Sequence, residues 1–287
     1  IIHDNDHLGK NYYIYRDTEG TGEWTMLPWD KDLTFGRNYD PFSGGVLSDT
    51  IWSDDDPMSH PLFGDQAHPK FDGPWNRFID AMYREPAVRE MYLRRLRSLM
   101  DKLLQPPATP SPILLFETRL NELAVLCQND VLLDRARWGN PYGTNQAFGT
   151  AIGILKTQYL SVRRNHLYNT HARPGAIIPS AQIPTPHITF GSIDRAPISG
   201  ESDEEFIELV NPGSAAVDLS GWSILGDVTH TFRPGTVIPA GGSLFVSPNV
   251  VAFRARALSP KGGEGRFVQG NYKGNLSSPP TALELRD

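Results

Sequence analysis

The chain of 287 residues has a single cysteine, Cys127. No disulfide can form within it, so a fold outside a reducing compartment would have to stand without one. Cys127 lies in an apolar helical run with Leu123 and Leu126 and is expected to be a small buried hydrophobe rather than a reactive thiol. No apolar run approaches the roughly 20 residues of a membrane-spanning helix. An excess of positive charge is also missing. Lys and Arg number 27 against 33 Asp and Glu, a net charge of −6, and a dedicated nucleic-acid binder normally carries a basic stripe. Phosphate chemistry is not excluded by that balance, because it needs only a few local cations and metal ions. Neither an initiating Met nor an export signal is present. Ile1 and Ile2 run straight into dense motif, so the chain reads as a piece of a longer protein with any signal upstream.

What is there suffices for packed cores: 39% hydrophobic and 10% aromatic residues, over a length that suggests two domains. Tyr12–Tyr15 and Trp24–Leu27 are β-prone and flank the turn signal Glu19-Gly20-Thr21-Gly22, which reads as a hairpin closed by Pro28. Residues 41–74 read as a long loop holding Gly44-Gly45, Asp54-Asp55-Asp56, Pro57, Pro61 and Pro69. Residues 75–168 carry apolar positions at three- and four-residue steps. Pro86 should divide two helices. A third helix is expected over about 113–136 with Leu120, Leu123 and Leu126-Cys127 inward, and a fourth from Asn145 as N-cap. Residues 173–186 form a Pro-rich linker. Beyond it the period falls to two, and Phe206–Val210, Trp222–Leu225 and Ser243–Val246 suggest an antiparallel sandwich.

The first candidate site lies at the start. Asp6 and Asn11 are five residues apart, the spacing of the base and the metal-holding amide in a kinase catalytic loop. Asp30 follows nineteen residues after Asn11, past the hairpin, where a second metal-holding acid belongs. Phosphoryl transfer asks the protein mainly for positioning and charge neutralisation. A carboxylate can orient and deprotonate a hydroxyl, and carboxylate and amide oxygens suit hard magnesium. Lys10 could touch a transferring phosphate. On spacing alone, an Asx-rich turn at Asp4-Asn5-Asp6 is the stronger explanation.

The surroundings add to the spacing. The segment Asp6-His7-Leu8-Gly9-Lys10-Asn11-Tyr12-Tyr13 and the block Leu27-Pro28-Trp29-Asp30-Lys31-Asp32-Leu33 closely resemble the CotH kinase family, named for spore-coat protein H. Tyr92–Asp101, Asp134–Gly139 and Arg163–Leu167 resemble its helical part, so the likeness spans about 1–170. It implies a mostly helical, atypical kinase-like C-lobe that uses ATP with Mg²⁺ or Mn²⁺ to phosphorylate Ser or Thr of a protein. Asp6 then takes the catalytic base position, Lys10 a phosphate-contacting one, Asn11 and Asp30 the metal positions, and Asp32 that of an auxiliary ligand. The N-lobe with its nucleotide-clamping lysine is not in this sequence, so the chain alone is expected to be inactive. The resemblance also implies a bacterial, exported, surface or spore-coat setting.

Other polar groups have plainer readings. His3, His7, His60 and His68 lack a zinc-site pattern and are expected to be exposed or capping. Asp54-Asp55-Asp56 lacks the spacing of a calcium loop. Arg94, Arg95, Arg97, Arg163 and Arg164 are expected to pair with acids or cover apolar surface, and Asp134 with Arg137 to form a local ion pair.

Glu205–Pro212, Val217–Ile224, His230–Phe232 and Ile238–Leu244 resemble the lamin-tail domain, an immunoglobulin-like sandwich, with Trp222 and Phe232 as core anchors. Glu208 reads as a solvated carboxylate on an outward face. The expected organisation is multidomain α+β: a kinase-like domain at 1–172, the linker at 173–186, and an all-β sandwich at 187–287 that serves interaction or tethering. The competing expectation is a non-catalytic surface or coat protein that attaches through the sandwich.

Overall fold

The structure, a computed structural model, describes residues 12–31, 34–40, 45–51, 57–62, 77–139, 146–276 and 282–287. Pro28–Glu85 and Leu96–Ala181 fall in one compact unit, and Ile14–Leu27, Pro86–Arg95 and Gln182–Asp287 in another. The chain is mixed α+β, with the helices concentrated before residue 172 and the sheets of a sandwich after it.

Strands β1 (Tyr12–Arg16) and β2 (Trp24–Pro28) pair as a two-stranded sheet. Their turn is organised by Asp17, whose carboxylate accepts from the backbone N–H of Gly20 at 3.0 Å and of Thr21 at 2.9 Å. β3 (Arg37–Asp40) and β4 (Gly45–Ile51) form a second antiparallel pair. Part of the segment expected as loop is therefore a strand. Val46, Leu47, Thr50 and Ile51 supply the β propensity, which Gly44-Gly45 and the prolines obscured.

Among the described residues five α-helices follow: α1 (Arg77–Arg84), α2 (Pro86–Leu99), α3 (Leu115–Trp138), α4 (Phe148–Ile154) and α5 (Ser161–His166). Pro86 opens α2, where its missing N–H costs nothing. Three π-helical stretches extend these helices, at Met100–Leu104, Leu155–Leu160 and Leu167–His171. Two of them turn fully buried pairs into the core, Met100 with Leu104 and Tyr159 with Leu160. The side chain of Gln105 binds both Ile113 O and the N–H of Leu115, closing the Pro-rich loop onto the start of α3. The α4 cap is Ala147, with no side-chain bond, and Asn145 lies outside the described residues.

α3 departs from expectation. None of its residues is fully buried; Leu126 is 73% and Leu123 37% exposed, and Cys127 is only half-buried. The cause is in the spacing, since Leu123, Val125, Leu126, Leu132 and Leu133 spread around the helix instead of lining one stripe. The ion pair expected between Asp134 and Arg137 is not formed; the Arg137 guanidinium lies 5.2 Å over the Trp138 ring.

The second unit is built on β5 (Thr189–Asp194), β6 (Phe206–Val210), β7 (Val217–Asp218), β8 (Ser223–Leu225), β9 (Val228–Thr231), β10 (Val237–Ile238), β11 (Ser243–Ser247), helix α6 (Val250–Ala255), β12 (Phe267–Gly270), β13 (Lys273–Gly274) and β14 (Glu284–Arg286). Two four-stranded sheets run β12-β11-β6-β5 and β13-β9-β8-β14. Their inner faces enclose Ile207, Leu209, Ile224, Val228, Phe232, Leu244 and Val246, with Trp222 packed at the margin. One pairing breaks the expected antiparallel pattern: β12 lies parallel to β11. A parallel neighbour needs a crossover, and α6 lies in it, capped by Asn249 Oδ1 accepting from Val251 and Ala252. The same unit includes the 86–95 half of α2. Arg95 donates to Asp218 at 3.1 Å and to Ser220 at 3.0 Å, and Glu90 accepts from Ala240 N.

Candidate active site

Of the five residues singled out for phosphotransfer chemistry, the structure describes one. Asp6, Lys10, Asn11 and Asp32 lie outside the described residues; Asp30 is inside them. Asp30 comes two residues after β2, on an exposed stretch, with a backbone φ of 50°. A non-glycine residue in this left-handed region is uncommon, and Asp is among the few that adopt it readily. Such outliers concentrate where a side chain must be aimed. Beside it, Trp29 meets Tyr13 edge-on with ring centroids 6.0 Å apart.

The stretch after Asp30 is anchored to the helices. Phe35 and Gly36 both have positive φ, 60° and 67°. The Phe35 ring packs edge-on against Phe116 of α3 at 6.1 Å and against Tyr159 at 5.7 Å. Tyr159 is fully buried on the π-helical stretch between α4 and α5. Aromatic pairs of this geometry add about 0.5–1.5 kcal/mol each beyond burial. Asp30 thus sits in a backbone conformation that Asp tolerates, and the Phe35 contacts anchor residues 35–36 to the helical part.

Residues 57–62 are held to α5 by Arg163. The residue is 1% exposed, and its guanidinium donates to the carbonyls of Pro57 at 3.2 Å and Ser59 at 2.5 Å. Arg164 bonds Leu104 O at 2.9 Å and pairs with Glu117 at 2.7 Å. Arg97 pairs with Asp101, which also accepts from Tyr168. Arg97 and Arg164 therefore pair with acids as expected, and Arg163 also satisfies backbone carbonyls.

Sequence reasoning missed a histidine cluster. His166 and His171 approach Nε2 to Nε2 at 3.0 Å, and the His60 ring stands 4.9 Å from that of His171. Burial, then His171, Arg163 and His60, push the pKa of His166 down to about 4; burial and Arg163 lower His171. No pattern would have found it, because His60 is more than a hundred residues from the other two. Among the described residues no group of three or more His, Cys, Asp or Glu is arranged to hold a metal ion. His3, His7, His68 and Asp54–Asp56 lie outside the described residues.

In the sandwich, Glu208 is more than a solvated carboxylate. It accepts from the hydroxyl of Ser192 at 2.5 Å and its N–H at 3.1 Å. Burial would raise its pKa, but the bonds from Ser192 and Ser243 outweigh burial and lower it. It is a cross-strand tie between β5 and β6.

A family model described as CotH kinase protein matches residues 1–166. The chain belongs to that family. A lamin tail domain model matches residues 182–281, in the order the sequence suggested. A search of curated proteins gives no match. The CotH match spans Asp6, Lys10, Asn11, Asp30 and Asp32 and the helices behind them; the lamin-tail match spans nearly all of the sandwich. No helix among the described residues is long and apolar enough to cross a membrane.

Proposed function

We propose that the full-length protein is a CotH-type phosphotransferase that moves the γ-phosphate of ATP to a Ser or Thr hydroxyl of a protein, with the lamin-tail sandwich as an interaction module. The observation that carries this is the CotH kinase match over residues 1–166. The donor set is chemically suited to Mg²⁺ or Mn²⁺: the carboxylates of Asp30 and Asp32 and the amide oxygen of Asn11 are all hard oxygen ligands. When bound, the metal supplies neutralisation of charge on the phosphate oxygens.

In this scheme Asp6 orients the acceptor hydroxyl and takes its proton as the new O–P bond forms and the bond to ADP breaks. Lys10 presents its ammonium to the phosphate being moved. Asp30 offers its carboxylate to the metal, and its left-handed backbone supports that reading. The setting we propose, at or beyond the bacterial cell surface, rests on the family likeness alone.

The test is phosphate incorporation from γ-labelled ATP with Mg²⁺ or Mn²⁺, using the full-length protein. Asp6→Asn should slow labelling about 10²- to 10⁴-fold, the usual worth of a general base, and Asp30→Ala should abolish it. Labelling unchanged in both variants would overturn the assignment.

A further inference from the structure

The sandwich carries a basic strip that none of the chemistry above uses. An open groove of about 340 Å³ is lined by Arg233, Arg254 and Arg266 over Phe267, Val268 and Gln269. A neighbouring hollow of about 320 Å³ shares Arg233 and adds Lys273. Four cations thus line two adjoining hollows on a chain whose net charge is −6. All four side chains are exposed. Residues of β12 line both hollows, and among the described residues β12 ends its sheet and pairs on one side only, with β11.

The acids already present narrow the ligand. Glu23 pairs with Arg233 at 2.5 Å, and Glu264 with Arg266 at 3.3 Å. Arg254 has no ion-pair partner among the described residues. A simple carboxylate ligand would only exchange places with Glu23 or Glu264. A phosphate monoester brings nearly two charges and three acceptor oxygens, which the planar fork of arginine matches. A long strip also exceeds what one free phosphate can occupy. A nucleic acid would present a continuous polyanion to a groove flanked by Glu23 and Glu264 on an acidic chain. The outer edge of β12 offers main-chain hydrogen bonds that an extended peptide can pair with and a nucleic acid cannot. At the end of β12 Gly270 O already accepts from Arg233 at 3.3 Å.

We infer that the groove along β12 binds an extended, phosphoserine- or phosphothreonine-bearing peptide, with Arg254 and Arg266 on the phosphate. The inference does not depend on catalysis by the CotH domain. It does add to that proposal, since the sandwich would retain the kind of product such an enzyme makes.

The experiment is fluorescence anisotropy of the whole chain with a labelled ten-residue peptide carrying two phosphoserines, against its unphosphorylated form. The phosphorylated peptide should bind at least about tenfold more tightly. Arg254→Glu should remove that preference and Arg254→Lys weaken it, with the melting temperature of both variants unchanged, because the side chain is exposed and unpaired with acid. Equal binding of the two peptides, or a preference that survives Arg254→Glu and Arg266→Glu together, overturns the inference. So does tighter binding of a single-stranded oligonucleotide that displaces the peptide. Because the phosphopeptide is supplied ready-made, an inactive kinase domain leaves the outcome untouched.

Discussion

Two arginines of the helical unit and three of the sandwich do opposite work. In the helical unit Arg163 and Arg164 are 1% and 5% exposed, and their guanidiniums are tied to carbonyls and to Glu117. In the sandwich Arg233, Arg254 and Arg266 stand in solvent around a groove. A buried cation is tolerated only when its donors are satisfied, so it becomes part of the fold and cannot also meet a ligand. An exposed one gives little to stability and keeps its charge for binding. The contrast separates residues that hold the CotH domain together from residues that can recognise something.

Substitutions can break that contrast, beginning where the effect should be largest. Arg164→Ala leaves Glu117 buried without its partner and should cost about 3–5 kcal/mol in urea unfolding of the helical unit. A loss under about 1 kcal/mol, the scale of a surface pair, would remove the distinction. Phe232→Ala in the sandwich core should cost a comparable 3–5 kcal/mol, roughly, through the cavity it leaves. Followed by the fluorescence of Trp222, its loss should register in the sandwich signal. Next comes Phe35→Ala. It should cost the helical unit about 1–3 kcal/mol and reduce phosphate transfer in the full-length protein more than Arg254→Glu does. Equal activity of the two variants would detach Phe35 from the site.

Acid should sharpen the comparison further. His166 titrates near 4 in the folded protein, below the ordinary 6.5. Between those values the unfolded chain binds more protons, so stability rises with pH across that window and levels off above 6.5. Acidification from 6.5 towards 4 should therefore weaken the helical unit, and His171 acts in the same direction. In the sandwich, burial lowers His230, but its bond with Gln269 opposes the shift, so the effect there should be smaller. Urea titrations at several pH values would show it, and a helical unit with His166→Gln and His171→Gln that stays equally acid-sensitive counts against the cluster as the cause. The smallest effect belongs to Arg254→Glu, which should change stability by less than about 0.5 kcal/mol.

Much of the fold was legible because it rests on local periodicity. Pro86 at a helix start, the strands Phe206–Val210 and Ser243–Ser247, and the hairpin around Gly20 and Gly22 follow from turn chemistry and from repeats of two or three to four residues. α3 was misjudged because a helical period does not say which face has a partner. β4 was missed behind glycines, and the parallel β12 because pairing partners are not a local property. Of the candidate site, the order of Asp6, Lys10, Asn11, Asp30 and Asp32 was visible as spacing and motif. The Phe35 anchor was not, since Phe116 and Tyr159 come from far along the chain.

The amino-acid order by itself determined the two-part α+β organisation, the CotH and lamin-tail likenesses and the residue types available for phosphate chemistry. These depend on neighbours in sequence, on motif spacing and side-chain chemistry. Tertiary structure alone decided that Arg163 is buried and Arg254 is not, that distant His60 meets the His166–His171 pair, and that among the described residues β12 leaves an open edge beside four cations. The physical reason is that burial and convergence are set by which distant elements pack together, and a charge acquires its role from the solvent and partners that packing leaves it.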